Sequence, residues 1–256
     1  MARYSRYVAI GDSQTEGLWD VDDTVGLMGF ADRLAATINS HYPGLRYANL
    51  AVRGRRIRDL LEDQLPEALA MQPDLITICI GMNDVTRPGP YFGRALADLD
   101  LVHEKLAQSG ATIATTTFPD LTTILPVGRL IASRLAHINA SIRAAADRHG
   151  FALVDLENAP SMCDVDTWSA DRVHGSTKGH MLFTAAAAEA LGLPGSNHDW
   201  AHASGAATTQ PFTSRAYSQV LWTQNMLMPW VWRHVRGMSS GHGITPRRPR
   251  LESVTG

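Results

Sequence analysis

Five residues spread along the chain carry groups suited to acyl transfer: Ser13, Gly54, Asn83, Asp171 and His174. A serine hydroxyl becomes a nucleophile only beside a base, and the base needs a partner that fixes its orientation. Ser13 stands in YVAIGDSQTEG (residues 7–17), two residues past the glycine that closes a short apolar run. That place can project a hydroxyl from a strand-to-helix turn, although the same letters also suit an Asx or serine turn that caps a helix. SADRVHGSTKGH (169–180) puts Asp171 three residues before His174, near enough for the carboxylate to take the Nδ1–H while Nε2 faces outward. An exposed ion pair without a role has the same spelling. Gly54, in NLAVRGRRI, lets a backbone N–H approach a ligand unobstructed, and Asn83, in GMNDV, offers a neutral amide donor. Each of these also occurs as an ordinary loop residue.

These positions gain meaning from the elements between them. RYVAIG (6–11), RYANLA (46–51), DLITICIG (74–81), ATIATTT (111–117) and FALVDL (151–156) read as buried strands. Helical spacing separates them: Phe30, Leu34 and Ile38; Ile57, Leu60, Leu61 and Leu65; Leu99, Val102 and Leu106, closed by Gly110; and Ile131, Leu135, Ile138 and Ile142, closed by Gly150. A last helix is expected over Thr177 to Leu191. Such an alternation predicts an α/β fold with parallel strands, right-handed crossovers and helices on both faces. In that architecture reactive groups gather on the loops at the carboxyl ends of the strands, where GDSQTEG, AVRGRR and GMNDV lie.

The four motifs GDSQTEG, NLAVRG, GMND and DRVH, in this order, resemble the GDSL-type SGNH hydrolases, and the resemblance runs from Tyr7 to about Leu191. It implies a flavodoxin-like three-layer α/β/α sandwich around a parallel sheet of about five strands. It also implies a metal-free esterase or acyl hydrolase. By position, Ser13 would be the nucleophile and donate its own N–H to the oxyanion, alongside the N–H of Gly54 and the side chain of Asn83. His174 would be the base and Asp171 its orienting partner. Gln14 stands where the family spelling has leucine. That side chain takes no part in the family's chemistry, so the departure bears on pocket detail and leaves the mechanism standing. A thioesterase or acyltransferase could use the same groups, and a lipid- or glycan-binding module could share the fold.

Composition narrows the partners. A formal charge of −2 offers none of the basic excess of a nucleic-acid footprint, so a small or neutral substrate is the default, and the resemblance implies a small-molecule or lipid-like ester. Two distant cysteines make no disulfide framework, and Cys163 reads as a buried, inert thiol in preference to one lining the mouth of the site. No apolar run approaches a membrane span or a signal-peptide core, from which a cytoplasmic location is expected. HDWAH (198–202) has an i, i+4 histidine pair but no nameable ligand set, so neither metal nor cofactor is expected. His180 reads as a packing or helix-surface residue. RGRRIR (53–58) is a basic run that could sit as a solvated helix turn or draw an anionic group on the substrate.

The composition changes near residue 195. Residues 1–194 read as the catalytic domain, and 195–256 as an extension with six arginines, two acids and four of the six tryptophans. Val220, Leu221, Met226, Leu227, Trp230 and Val231 suggest an amphipathic helix, interrupted or started afresh at Pro229, packed on the domain, with a lid, a dimer contact or a peripheral membrane surface as alternatives. GHGITPRRPRL reads as extended or disordered. Oligomeric state is left open.

Overall fold

The structure, a computed structural model, describes residues 4–22, 26–120, 128–203 and 243–254. The amphipathic stretch of the tail, with Trp222, Trp230 and Trp232, lies outside the described residues.

Along the chain, β1 (Arg6–Gly11) leads into the one-turn α1 (Ser13–Glu16), and a small hairpin, β2 (Val21–Asp22) with β3 (Gly26–Leu27), precedes α2 (Phe30–His41). Strand β4 (Arg46–Asn49) is followed by α3 (Ile57–Asp59), a π-helical stretch Leu60–Gln64 and α4 (Leu65–Ala70). Then come β5 (Leu75–Cys79), α5 (Met82–Val85), α6 (Phe92–Ala107), β6 (Thr112–Thr116), α7 (Gly128–His149), β7 (Ala152–Val154), α8 (Thr177–Ala190) and β8 (Arg248–Ser253).

Six strands form one sheet in the order β7-β6-β5-β1-β4-β8. The five expected strands are present and mutually parallel, with helices on both sides. The sheet differs from the expectation in its sixth strand. Arg248–Ser253 lies antiparallel beside β4, so of the two readings of this stretch, extended or disordered, the structure shows the extended one, as an edge strand. Its anchors are specific. Arg247 and Arg248 both pair with Asp32 on α2, the Arg46 guanidinium donates to the Leu251 carbonyl, and Val254 N–H donates to Leu45 O. Pro249 is tolerated because an edge strand leaves one side of its backbone unpaired.

The core explains why β1 is central. Tyr7, Val8, Ala9 and Ile10 are all fully buried, as a strand covered by helices on both faces must be. Tyr7 stacks on Tyr47 with ring centroids 4.9 Å apart and satisfies its hydroxyl on Thr77 Oγ1 at 2.8 Å. From β1 the chain passes to β4 on one side and then crosses to β5 on the other. The carboxyl ends of these three strands therefore flank a topological switch point, the place where such folds bind ligands.

Candidate active site

The turn after β1 is shaped by two features. A Cβ at Gly11 would run into the Cys79 carbonyl and the Thr15 side chain, so only glycine lets β1 close this near to β5. Asp12 then caps α1, accepting the Gln14 N–H at 3.3 Å, and Ser13 becomes the first helical residue. Ser13 is 8% exposed.

His174 and Asp171 reach Ser13 from the other end of the chain, on the loop before α8. His174 Nε2 is 2.7 Å from Ser13 Oγ, and His174 Nδ1 is 2.6 Å from Asp171 Oδ2. A carboxylate can only accept, so Nδ1 carries the proton and the Nε2 lone pair faces the serine hydroxyl. The D-x-x-H spacing builds this orientation locally: Asp171 Oδ1 accepts the N–H groups of Val173 and His174 at 2.9 and 3.0 Å, closing an Asx-type turn. The Ser169 hydroxyl adds a third donor at 2.8 Å. Burial alone would raise the Asp171 carboxyl, but the hydrogen bond and charge of His174 and these backbone donors outweigh it and hold it well below the usual carboxylate range.

Gly54 lies in the loop after β4 with φ +74°, a left-handed backbone suited to glycine. Asn83, in α5 after β5, donates to Asp12 Oδ2 at 3.2 Å and to Arg55 O at 3.0 Å. Its amide thus bridges the residue before Ser13 and the residue after Gly54. Ser13, Gly54 and Asn83 thus follow β1, β4 and β5, and the loop before α8 brings His174, with Asp171 behind it, to Ser13.

A model of the GDSL-like lipase/acylhydrolase family matches residues 9–182, a span that contains all five. The chain belongs to this family. An acetylxylan esterase of Geobacillus stearothermophilus is 26% identical over 186 residues, which cover 64% of this chain and 81% of that relative. Among solved structures, LAE5, an α/β hydrolase from the metagenome of Lake Arreo, superposes with a TM-score of 0.63 at 23% identity, covering 75% of this chain and 97% of its own. Axe2, an acetylxylan esterase from G. stearothermophilus, superposes with a TM-score of 0.62 at 22% identity and the same coverage. At such identities the likeness speaks for the fold, which is that of the SGNH hydrolases. As a member of the family, the chain is an ester-cleaving serine hydrolase.

Several residues of this GDSL-family hydrolase that shape the site escaped sequence reasoning. Glu16, 2% exposed, takes the Arg53 N–H at 2.7 Å and the Arg53 guanidinium at 2.6 Å, which ties α1 to the residue before Gly54. Gln64, in the π-helical turn, accepts from Gly11 N–H and donates to Gly11 O, both at 2.9 Å. Trp19, at φ +69° and 45% exposed, donates its indole N–H to Asp171 Oδ2 at 2.9 Å. Gln14 is more than pocket detail: its amide donates to Val173 O at 2.9 Å and accepts from Gly175 N–H at 3.2 Å. Its place three residues after Ser13 is the one mark of Glu16 in the sequence; the glutamines carry none, because their partners are remote in sequence.

Other readings are settled by partners. Arg53, Arg55 and Arg58 pair with Glu16, Asp63, and Glu62 with Asp98, so this basic run is largely neutralised within the protein. His180 is fully buried, accepting the Phe30 N–H and donating to Leu18 O, and burial pushes its imidazole down. His198 pairs with Glu189 at 3.0 Å, and among the described residues no group of three His, Cys, Asp or Glu side chains could hold a metal. Cys163 is exposed, contrary to expectation. Among the described residues no helix is long and apolar enough to cross a membrane.

Proposed function

We propose that the protein hydrolyses carboxylic esters through an acyl-enzyme formed on Ser13. His174 takes the Ser13 proton as Oγ attacks the ester carbonyl, and Asp171 stabilises the imidazolium that results. The negative charge on the carbonyl oxygen is taken by the N–H groups of Ser13 and Gly54 and by the Asn83 amide. The C–O bond then breaks and the alcohol leaves with the proton from His174. Water, deprotonated by His174, repeats the attack on the acyl carbonyl and releases the acid and free Ser13. The observation that supports this reading is the unbroken chain from Ser13 Oγ through His174 to Asp171, with both hydrogen bonds below 2.8 Å.

Asn83 has both amide hydrogens engaged in the free protein, so binding the oxyanion means exchanging one of them. The 3.2 Å bond to Asp12 is the longer of the two and the one to yield. Burial pushes the Asp12 carboxyl up to about 7, although the Gln14 N–H and the charge of His174 pull it down. Protonation of Asp12 removes a negative charge from beside the oxyanion as that bond yields.

The relationship to an acetylxylan esterase favours short acyl esters of sugars as the first substrates to test. The test compares wild type with Ser13→Ala and His174→Ala on p-nitrophenyl esters of increasing acyl length, on acetylated xylo-oligosaccharides and on an acyl thioester. Fast turnover of acetyl esters that vanishes in both variants is expected. Undiminished hydrolysis by Ser13→Ala overturns the mechanism, and preference for the thioester would move the protein to the thioesterase reading.

A further inference from the structure

We propose that Gln14 is a positioning residue that holds His174 at hydrogen-bonding distance from Ser13, with Trp19 performing the same service for Asp171. This rests on the reading of Ser13 and His174 as nucleophile and base.

The loop that carries His174 has little regular structure of its own. It is closed by an isolated antiparallel bridge between Trp168 and Gly175 and by the bond from Ser169 N–H to His174 O at 2.8 Å. Arg172, between Asp171 and His174, sits at φ +60°, a left-handed conformation that the surroundings must impose on a residue with a side chain. These bonds shape the loop internally. They do not decide how far it stands from α1.

That distance is set by side chains from the segment that bears the nucleophile. The Gln14 amide meets the peptide groups on either side of His174, the carbonyl of Val173 and the N–H of Gly175. A primary amide offers one acceptor and one donor side by side, so it pairs with a peptide carbonyl and N–H much as a neighbouring strand would. A residue bracketed in this way has its Cα fixed, and the reach of the imidazole follows. Five residues on, the Trp19 indole N–H donates to Asp171 Oδ2, the oxygen that also receives His174 Nδ1–H. Leu18, between the two, offers its carbonyl to His180 at the start of α8. The short stretch 13–19 therefore presents the nucleophile and holds both of its partners, although more than 150 residues separate them in sequence.

Leucine, the residue in the family's usual spelling, can make neither of Gln14's bonds. A loop set loose by a fraction of an ångström loses rate more readily than affinity, because an error of about 1 Å in catalytic geometry costs on the order of 100-fold.

The experiment uses Gln14→Met, which keeps length and loses the amide, Gln14→Leu, and Trp19→Phe, with Ser13→Ala as reference. With p-nitrophenyl acetate, kcat is expected to fall about 10- to 100-fold in both Gln14 variants while KM stays within about twofold. Trp19→Phe is expected to lose a few-fold. The downfield proton resonance of the His174–Asp171 hydrogen bond, sharp in wild type, should broaden through faster solvent exchange in the Gln14 variants. Unchanged melting temperatures would separate this from unfolding. Wild-type kcat and resonance in a folded Gln14→Met, with Ser13→Ala inactive, overturn the positioning role and leave the nucleophile assignment intact. Activity retained in Ser13→Ala instead overturns the reading on which the proposal stands.

Discussion

Ser13 stands two residues past a strand with parallel neighbours on both sides, whereas His174 stands in a loop whose ladder contact is the isolated bridge from Trp168 to Gly175. On the first side, position is inherited from the core: β1 is fully buried from Tyr7 to Ile10, and Gln64 holds both backbone groups of Gly11 from behind. On the second side, position depends on Gln14, Trp19 and the Asx-type turn of Asp171. Damage to the support of Ser13 should therefore cost stability, while damage to the support of His174 should cost rate.

The strongest break is removal of the groups themselves. Ser13→Ala and His174→Ala are each expected to lower kcat by roughly 10⁴-fold or more, and the double variant by little beyond either, because the groups act as one unit. Neither should lower the melting temperature appreciably, since neither side chain supports the core. Steady-state kinetics on an acetyl ester with parallel melting curves checks this. Losses that multiply in the double variant would mean that the two side chains do not work together.

Gln64→Leu attacks the Ser13 side through its scaffold. It leaves the buried N–H and C=O of Gly11 without partners, and an orphaned buried polar group costs about 1–3 kcal/mol. Urea unfolding should show a loss of about 3 kcal/mol for the pair, against almost none for Gln14→Met. Equal destabilisation by the two glutamine variants would erase the contrast between the two sides.

The titration of Asp12 sharpens the same contrast at smaller scale. Burial lifts its carboxyl from the ordinary value near 4 up to about 7 in the folded protein. Across that window the folded state keeps a proton that the unfolded chain has already lost, so Asp12 withdraws stability as pH rises from about 4 to about 7, and no more above it. Asp84, which burial pushes up to about 6, acts in the same direction but is present in wild type and variant alike. The melting temperature of Asp12→Asn minus that of wild type should therefore climb from pH 4 to 7 and then level off. A flat difference would show that Asp12 ionises normally inside the fold.

How much of this could be read from letters alone follows from what each part buries. The five parallel strands announce themselves because strands covered on both faces are written as apolar runs, such as LITICI around Cys79. That Ser13, Asp171 and His174 would meet was legible because few residue types suit acyl transfer and the motifs come in a familiar order. Gln14's bonds to the His174 loop were not legible, because an amide's meaning lies in its partners, and these sit 159 and 161 positions away. The edge strand was legible only as far as the choice between extended and disordered: in β8 only Arg248 and Leu251 are half-buried and the other four residues are exposed, so no alternating hydrophobic pattern marks it.

That edge strand supplies the mildest expectation. Arg248 pairs with Asp32 at 3.3 Å while 36% exposed, and Arg247 holds the same carboxylate at 2.8 Å from a more buried position. Burial raises the Asp32 carboxyl, and the two arginines pull it back. Arg248→Ala leaves Arg247 in place and removes a half-exposed contact, so it should cost about 0.5 kcal/mol, as exposed pairs do. Arg247→Ala should cost more, since the carboxylate of Asp32, 10% exposed, then depends on the more solvated arginine alone. Neither residue touches the Ser13–His174–Asp171 chain, so kcat on a short ester should match wild type in both. A loss of rate without a loss of stability at Arg248 would make the β4 edge, which leads to Gly54, a third determinant of the site's geometry alongside the core and the loop.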